Sequence, residues 1–404
     1  MSAAAAFFLA ALVVRETAGT PQALPEVATA LSDLEARFPA RPTNAAAFEL
    51  ERLASRLGIN LAPPMSHRAR LARRARPQNR MGEAGAFAMR QAEAETDLLA
   101  EPPERLRGLI AESAPTLDAI TTLLTEEELP RWAIDVRRGS GPEPDPLGLM
   151  RLQKLLISRA LIETRAGDLD GAARALEASW RLNIAMNRRP GLTSQIVAIA
   201  VARLQSGALR MGPFDAGKWS ARMRFADLRS SFWASLRDDY LIGVIADPSV
   251  PRRSPEVAVS IVGIRRVSDA LSAENACDFT RGRSMTFWRP FFPSGVQEGL
   301  GGIAMPSLLG TAHRVFRLSL EAELTEKVLD ARAVRDASPE GGWPQQLADA
   351  DSRVCPGARW IYSRRPDGAM TISFGGRFAE WPNEPGIHLP LSFTAAAPAR
   401  AAVP

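Results

Sequence analysis

The sequence predicts a mainly α-helical protein, a helical bundle or stack of helical hairpins with a small C-terminal β-hairpin. Three observations predict it. Leu149, Leu152, Leu156 and Ala160 recur at helical spacing with Leu155 beside them, and similar stripes run through 172–185, 192–209 and 309–328. Gly167-Asp168 and Pro190-Gly191 interrupt the stripes, as the short joins of helical hairpins do. Near the C-terminus the period becomes two. Residues 358–363 and 369–374 alternate bulky side chains on either side of Pro366-Asp367-Gly368, a turn sequence, which makes a hairpin.

Taken in order, residues 3–14 form an uninterrupted apolar run of twelve. A membrane span needs about 20 residues, whereas the apolar core of a signal peptide needs about 7–15. No basic segment precedes the run. Either translation begins further upstream, where lysines or arginines are then expected, or the run is a buried helix. The expectation is an export signal or uncleaved anchor over residues 1–18, with membrane association through the N-terminus. Residues 20–45 hold four prolines and read as a spacer with a short helix from Val27 to Arg37. Thr43 or Asn44 can cap a helix from Ala45 to about Leu57, where Gly58 stops it; Phe48, Leu50, Leu53 and Leu57 are its apolar positions.

Arg68, Arg70, Arg73, Arg74, Arg76 and Arg80 then fall within thirteen residues, with no acid between Arg52 and Glu83. Such a cluster suits an anionic partner: lipid headgroups, nucleic acid or an acidic protein. It also suits a solvated helix face, or pairing with Glu83, Glu93, Glu95 and Asp97. A positive cluster beside an export signal hinders translocation. From Ala84 to Leu124 the pattern is helical, with breaks expected at Pro102-Pro103 and near Pro115. Glu126, Glu127 and Glu128 point in different directions on a helix and read as surface. Residues 132–136 alternate like a short strand, and a turn-rich loop from Gly139 to Pro146 follows. Three helices come next, broken at the two joins above. The last carries Ile196, Ile199, Ala200 and Leu204 as its stripe, while Arg203 and Gln205 speak against a membrane span.

Trp219, Phe225, Phe232 and Trp233 indicate an aromatic-rich packing region, and residues 287–293 an aromatic clamp bounded by prolines. Pro306 suits the start of a long helix with Leu309, Ala312, Phe316, Leu320, Leu324 and Val328 on one face. The tail from Ala395 reads as frayed. These shifts divide the chain into a signal or anchor segment (1–18), an N-terminal helical region (19–145), a central helical-hairpin domain (146–335) and a C-terminal loop and β-hairpin segment (336–404).

The chain has 404 residues, 46% of them hydrophobic and 24% charged, which is the balance of a folded protein. Its net charge is +5, carried almost entirely by arginine, since Lys154, Lys218 and Lys327 are the three lysines. That excess is small for so long a chain and disfavours nucleic acid as a partner. His67, His313 and His388 are scattered, with none at metal-ligand spacing from another histidine or a cysteine. Asp238-Asp239-Tyr240 offers two carboxylates, but neighbouring acids on a helix diverge. Gly299-Leu300-Gly301-Gly302 lacks the lysine and leading strand of a phosphate loop. No His-Glu-x-x-His, Gly-x-Ser-x-Gly, Walker or dinucleotide signature occurs.

No cofactor, metal or catalytic residue is therefore assigned. The preferred expectation is a non-enzymatic helical scaffold or binding protein, with Trp132, Trp180 and the arginine cluster on a concave surface holding a protein, lipid or glycan. Two alternatives stay open. One is a hydrolase or lyase on a helical fold with carboxylates gathered from distant segments. The other is a cytoplasmic protein that binds anionic surfaces through Arg68 to Arg80. Cys277 and Cys355 read as a disulfide or as two buried free thiols; α-carbons more than about 7 Å apart would exclude the bond.

Several segments carry resemblances. Leu149 to Leu156, Ala178 to Asn183 and Gly341 to Leu347 resemble a family of uncharacterised, predominantly helical bacterial envelope proteins. That resemblance covers the whole chain and implies a helical fold and a location on the periplasmic side of the envelope, anchored or secreted, but no reaction. Residues 318–376 are similar over a short stretch to a pseudopilin-type C-terminal hairpin, although the long apolar glutamate-bearing helix that opens pseudopilins is missing. Gly167 to Trp180 resembles one tetratricopeptide-type half-repeat, without a second copy at that period.

Overall fold

A computed structural model describes residues 25–62, 79–137, 143–224, 228–246, 265, 268, 277–278, 304–339, 341–377 and 391–397. Among them are ten helices and one three-stranded sheet. The helices are α1 (Pro25–Arg37), α2 (Ala45–Arg56), α3 (Asn79–Ala92), α4 (Glu104–Glu126), α5 (Pro146–Ala166), α6 (Leu169–Asn187), α7 (Leu192–Met211), α8 (Ala216–Arg224), α9 (Leu228–Ala246) and α10 (Ala304–Ala337). The strands are β1 (Trp360–Arg364), β2 (Met370–Phe374) and β3 (Ser392–Ala395). The protein is mainly α with a small sheet near the C-terminus, as the periodicity predicts.

Local chemistry sets the helix ends. Asn44 accepts from the Ala47 N–H at 3.0 Å, Asp145 from Leu147 at 3.1 Å and Asp168 from Gly171 at 2.9 Å, each satisfying a first-turn donor that has no intrahelical partner. Gly167 ends α5 at φ +83°, a left-handed conformation that glycine adopts without a Cβ clash.

The centre of the molecule is α7. It packs against α3, α5, α6, α9 and α10, and is buried along almost its whole length. Gly207 allows α3 to approach closely: a Cβ there would lie 2.4 Å from the Ala92 Cα of α3. By length and composition α7 is the one helix among the described residues that could cross a membrane, but its position is that of a core helix. A single apolar cluster runs from Ala46 in α2 to Ala395 in β3. A smaller one joins Val27, Ala30 and Leu34 of α1 to Val136, Leu241 and Ile242.

In the sheet, order β1-β2-β3, both pairings are antiparallel, with Trp360 opposite Phe374 and Ile372 opposite Phe393. Trp360, Met370, Ile372, Phe393 and Ala395 form its buried face, and β2 and β3 pack on α10. The Gly341–Leu347 segment seals one side. Trp343 donates to the Ala396 carbonyl at 3.0 Å, and the Tyr362 hydroxyl to the Pro344 carbonyl at 2.6 Å.

Several expectations are corrected. Pro115 lies inside α4 and does not break it. Proline removes one helical hydrogen bond, but the buried Ile110, Leu117, Ile120 and Leu124 hold both halves of the helix against its neighbours. Phe48 is 60% exposed. It sits two residues, about 200° of helical turn, from the buried Leu50, while Ala46, Ala47 and Ala54 share the buried face. Ile196 is likewise exposed, because it faces outward near the start of α7. Residues 132–136 do not form a strand; Ile134 makes one isolated antiparallel bridge with Arg41. The tail does not fray at Ala395, the last residue of β3. Ala395 is fully buried in β3, whose outer edge meets residues 95–97 through the Thr394 N–H to Glu95 carbonyl bond at 2.8 Å. The signal segment 1–18, the aromatic clamp and the glycine run at 299–302 lie outside the described residues.

Candidate functional site

Cys277 and Cys355 stand at disulfide-bonding distance, with Cα atoms 5.4 Å apart across a sequence separation of 78. Both are buried. The Cys355 N–H donates to Ser352 Oγ at 3.0 Å, and Ser352 Oγ donates to Glu323 at 2.6 Å. The cysteine pair is thereby joined to an unusual run of buried charge on α10.

That run is Glu321, Glu323, Thr325, Glu326 and Lys327, all nearly inaccessible to solvent. An unpaired buried carboxylate is costly, so the partners matter. Glu321 accepts from Arg210 Nη2 at 3.0 Å and from Arg203 Nε at 3.2 Å, both on α7. Arg210, fully buried, also donates to Thr325 Oγ1 and to the Ala92 carbonyl, each at 2.7 Å. Glu323 accepts from Ser352 Oγ, from the Arg353 N–H at 2.6 Å and from Trp360 Nε1 at 3.1 Å. Glu326 accepts from Arg224 Nε at 3.0 Å and from Arg353; burial pushes its carboxyl up while Arg224 opposes the shift. Lys327 Nζ meets Asp349 at 2.9 Å. Arg332 donates to the Leu209 and Gly212 carbonyls at 2.9 and 2.8 Å, satisfying the end of α7. These carboxylates are committed to fixed cations and donors. They join α7, α10 and the sheet.

The two neighbouring acids of α9 diverge, as helical geometry requires. Asp238 takes a bidentate pair from Arg37 at 2.7 Å, docking α1. Asp239 accepts from the Leu192 N–H at 3.3 Å. Burial raises the Asp239 carboxyl from 3.8 to about 6; the Leu192 hydrogen bond opposes this and the charge of Glu143 adds to it. Because the folded value is raised, the stability linked to Asp239 is fully present below the unfolded value and lost as pH climbs through about 6. Asp239→Asn keeps the acceptor without the charge. Its expected effect is a gain of about 2 kcal/mol at neutral pH that shrinks steadily between about pH 6 and about pH 4, read as the difference in urea midpoints. A pH-independent difference would show that Asp239 ionises equally easily in both states.

A cleft of about 500 Å³ opens where α1, the 128–134 segment and the end of α6 meet. Residues 39–44 and 129–134 zip together to form one wall. Arg41 and Ile134 exchange backbone hydrogen bonds at 3.1 and 3.0 Å, and Asn44 bonds the Leu129 carbonyl and the Arg131 N–H at 3.0 and 2.9 Å. Arg37, Arg41, Arg131, Arg188 and Arg189 line it, with Glu128 as the lining acid. Phe38, Trp132 and Ile134 supply apolar surface. Arg189 is buried, and its guanidinium reaches toward the Trp132 and Ala133 carbonyls at 3.4 and 3.5 Å.

The residues singled out from sequence fare differently. Trp132 is buried and donates to Glu51 at 2.9 Å, so it is not an open binding platform. Trp180 is half-buried, edge-on to Trp219 at 5.5 Å. His313 is buried on α10. Arg68, Arg70, Arg73, Arg74 and Arg76 lie outside the described residues, and Arg80 is placed only as backbone in α3. Of the acids expected to pair with them, Glu83 faces Arg105 at 3.9 Å and Glu93 faces Arg203 at 3.4 Å. Among the described residues no group of three or more His, Cys, Asp or Glu side chains is placed to hold a metal ion. The cleft was missed because its arginines come from three distant segments. No family model matches this chain, and no curated protein or solved structure matches it either.

Proposed function

We propose that this protein is a non-enzymatic helical binding or scaffold protein of the bacterial cell envelope, held on the periplasmic side. The observation that carries the proposal is the buried Cys277–Cys355 pair at 5.4 Å between Cα atoms, since disulfides form and persist in oxidising compartments. Two further points support it. The buried acids of α10 are engaged by arginines or by neutral donors of the fold, which speaks against the hydrolase or lyase alternative using them as its carboxylate pair. The apolar run at residues 3–14 and the resemblance to helical envelope proteins favour the same compartment.

The test is intact mass after thiol alkylation, with and without reduction, on protein recovered from the envelope and soluble fractions of its native cell. Envelope recovery with both thiols protected until reduction is the expected result. Soluble recovery with two freely alkylated cysteines would overturn it, and would favour a cytoplasmic protein that binds anionic surfaces through Arg68 to Arg80.

A further inference from the structure

We infer that the arginine-lined cleft binds a small amphiphilic anion, an oxyanion headgroup carried on a short apolar body. The inference rests on the binding-protein proposal above. Its volume, about 500 Å³, lies within the range of small-molecule sites, about 300–1,000 Å³. Its lining joins the two features such a ligand needs, guanidinium groups and apolar surface.

The charge balance of the lining favours an anion, with five arginines against the one lining acid Glu128, while Glu51 lies behind Trp132 and accepts from its indole. Asp238 neutralises Arg37 from outside the cleft. The charge of Glu143 acts on Arg189, whose guanidinium burial pushes below its usual value. Glu128 meets the half-buried Arg131 at 3.2 Å, but Glu128 is itself exposed and a pair of that kind is weakly held. Arg41 and Arg188 remain, exposed and lining the cleft from opposite segments, with no acid within ion-pair distance among the described residues. Planar guanidinium groups hold carboxylates and phosphates through paired N–H donors. Phe38 and Ile134, both half-buried, offer the apolar tail a wall.

The assignment is tested by calorimetric titration of the purified, oxidised full-length chain with monohexyl phosphate and, separately, hexanoate. Inorganic phosphate and hexanol serve as the headgroup and tail alone. At least one hexyl anion is expected to bind about tenfold or more tighter than either fragment, and to weaken as salt is raised. Arg41→Ala with Arg188→Ala is expected to weaken it about tenfold or more. Glu128→Gln, which removes the lining carboxylate, is expected to tighten it, a gain that a damaged fold cannot produce. Both hexyl anions binding no better than hexanol, or binding indifferent to these substitutions, would overturn the inference. Because the titration uses purified protein, its failure leaves the compartment untouched, and a cytoplasmic location would leave the cleft result standing.

Discussion

Replacing Glu321 by alanine is expected to cost about 3–5 kcal/mol of stability, the usual loss when one partner of a buried ion pair is removed. The size follows from what is left behind. Arg210 is 0% exposed, and without Glu321 its charge retains only the neutral acceptors Thr325 Oγ1 and the Ala92 carbonyl. Arg203 loses its 3.2 Å contact in the same step. Urea unfolding with far-ultraviolet circular dichroism measures the loss. Adding Arg210→Met to Glu321→Ala removes the stranded charge, so the double variant is expected to fall less than the sum of the two single losses. A loss under about 1 kcal/mol for Glu321→Ala would mean that water or another group neutralises Arg210, and that α7 and α10 are not joined through this pair.

Removing the covalent link comes next in size. The Cys277–Cys355 bond closes a loop across 78 residues. Chain entropy assigns such a closure about 4.5 kcal/mol, because the unfolded chain loses most of its freedom to separate those points. Cys355→Ser is expected to lower the urea midpoint accordingly. Reductant should lower the oxidised parent by a similar amount and leave the variant unchanged. A parent indifferent to reductant would show that the thiols are not joined. Cys355 lies five residues before β1, so loss of its side-chain link is expected to loosen the sheet before the helices, while its N–H keeps the Ser352 hydroxyl as acceptor. Hydrogen exchange at Trp360 to Arg364 reads that order.

Both effects concern a region that the sequence shows only in outline. The stripe on α10 names its apolar face: Ala312, Phe316, Leu320, Leu324 and Val328 are all buried. Glu321, Glu323, Glu326 and Lys327 look like the matching solvated face. They are buried because α7 lies on one side of α10 and the loop before β1 closes over the other. A charged helix face becomes interior only when other elements bring the opposite charge to it, and Arg203, Arg210 and Arg353 come from positions about 30 to 120 residues away in sequence, distances no local pattern spans.

What the sequence determined by itself is local. Helical periodicity, a cap at Asn44, the break at Gly167-Asp168 and the turn at Pro366-Asp367-Gly368 specify most of the elements, because each depends on neighbours within one or two turns of chain. The tertiary structure alone decided the rest. It made α7 the centre of the core, carried the chain through Pro115, recruited residues 392–395 as a third strand and set the arginines of the cleft side by side. Each of these turns on burial against distant segments, where the free energy of packing outweighs the local preference of the chain.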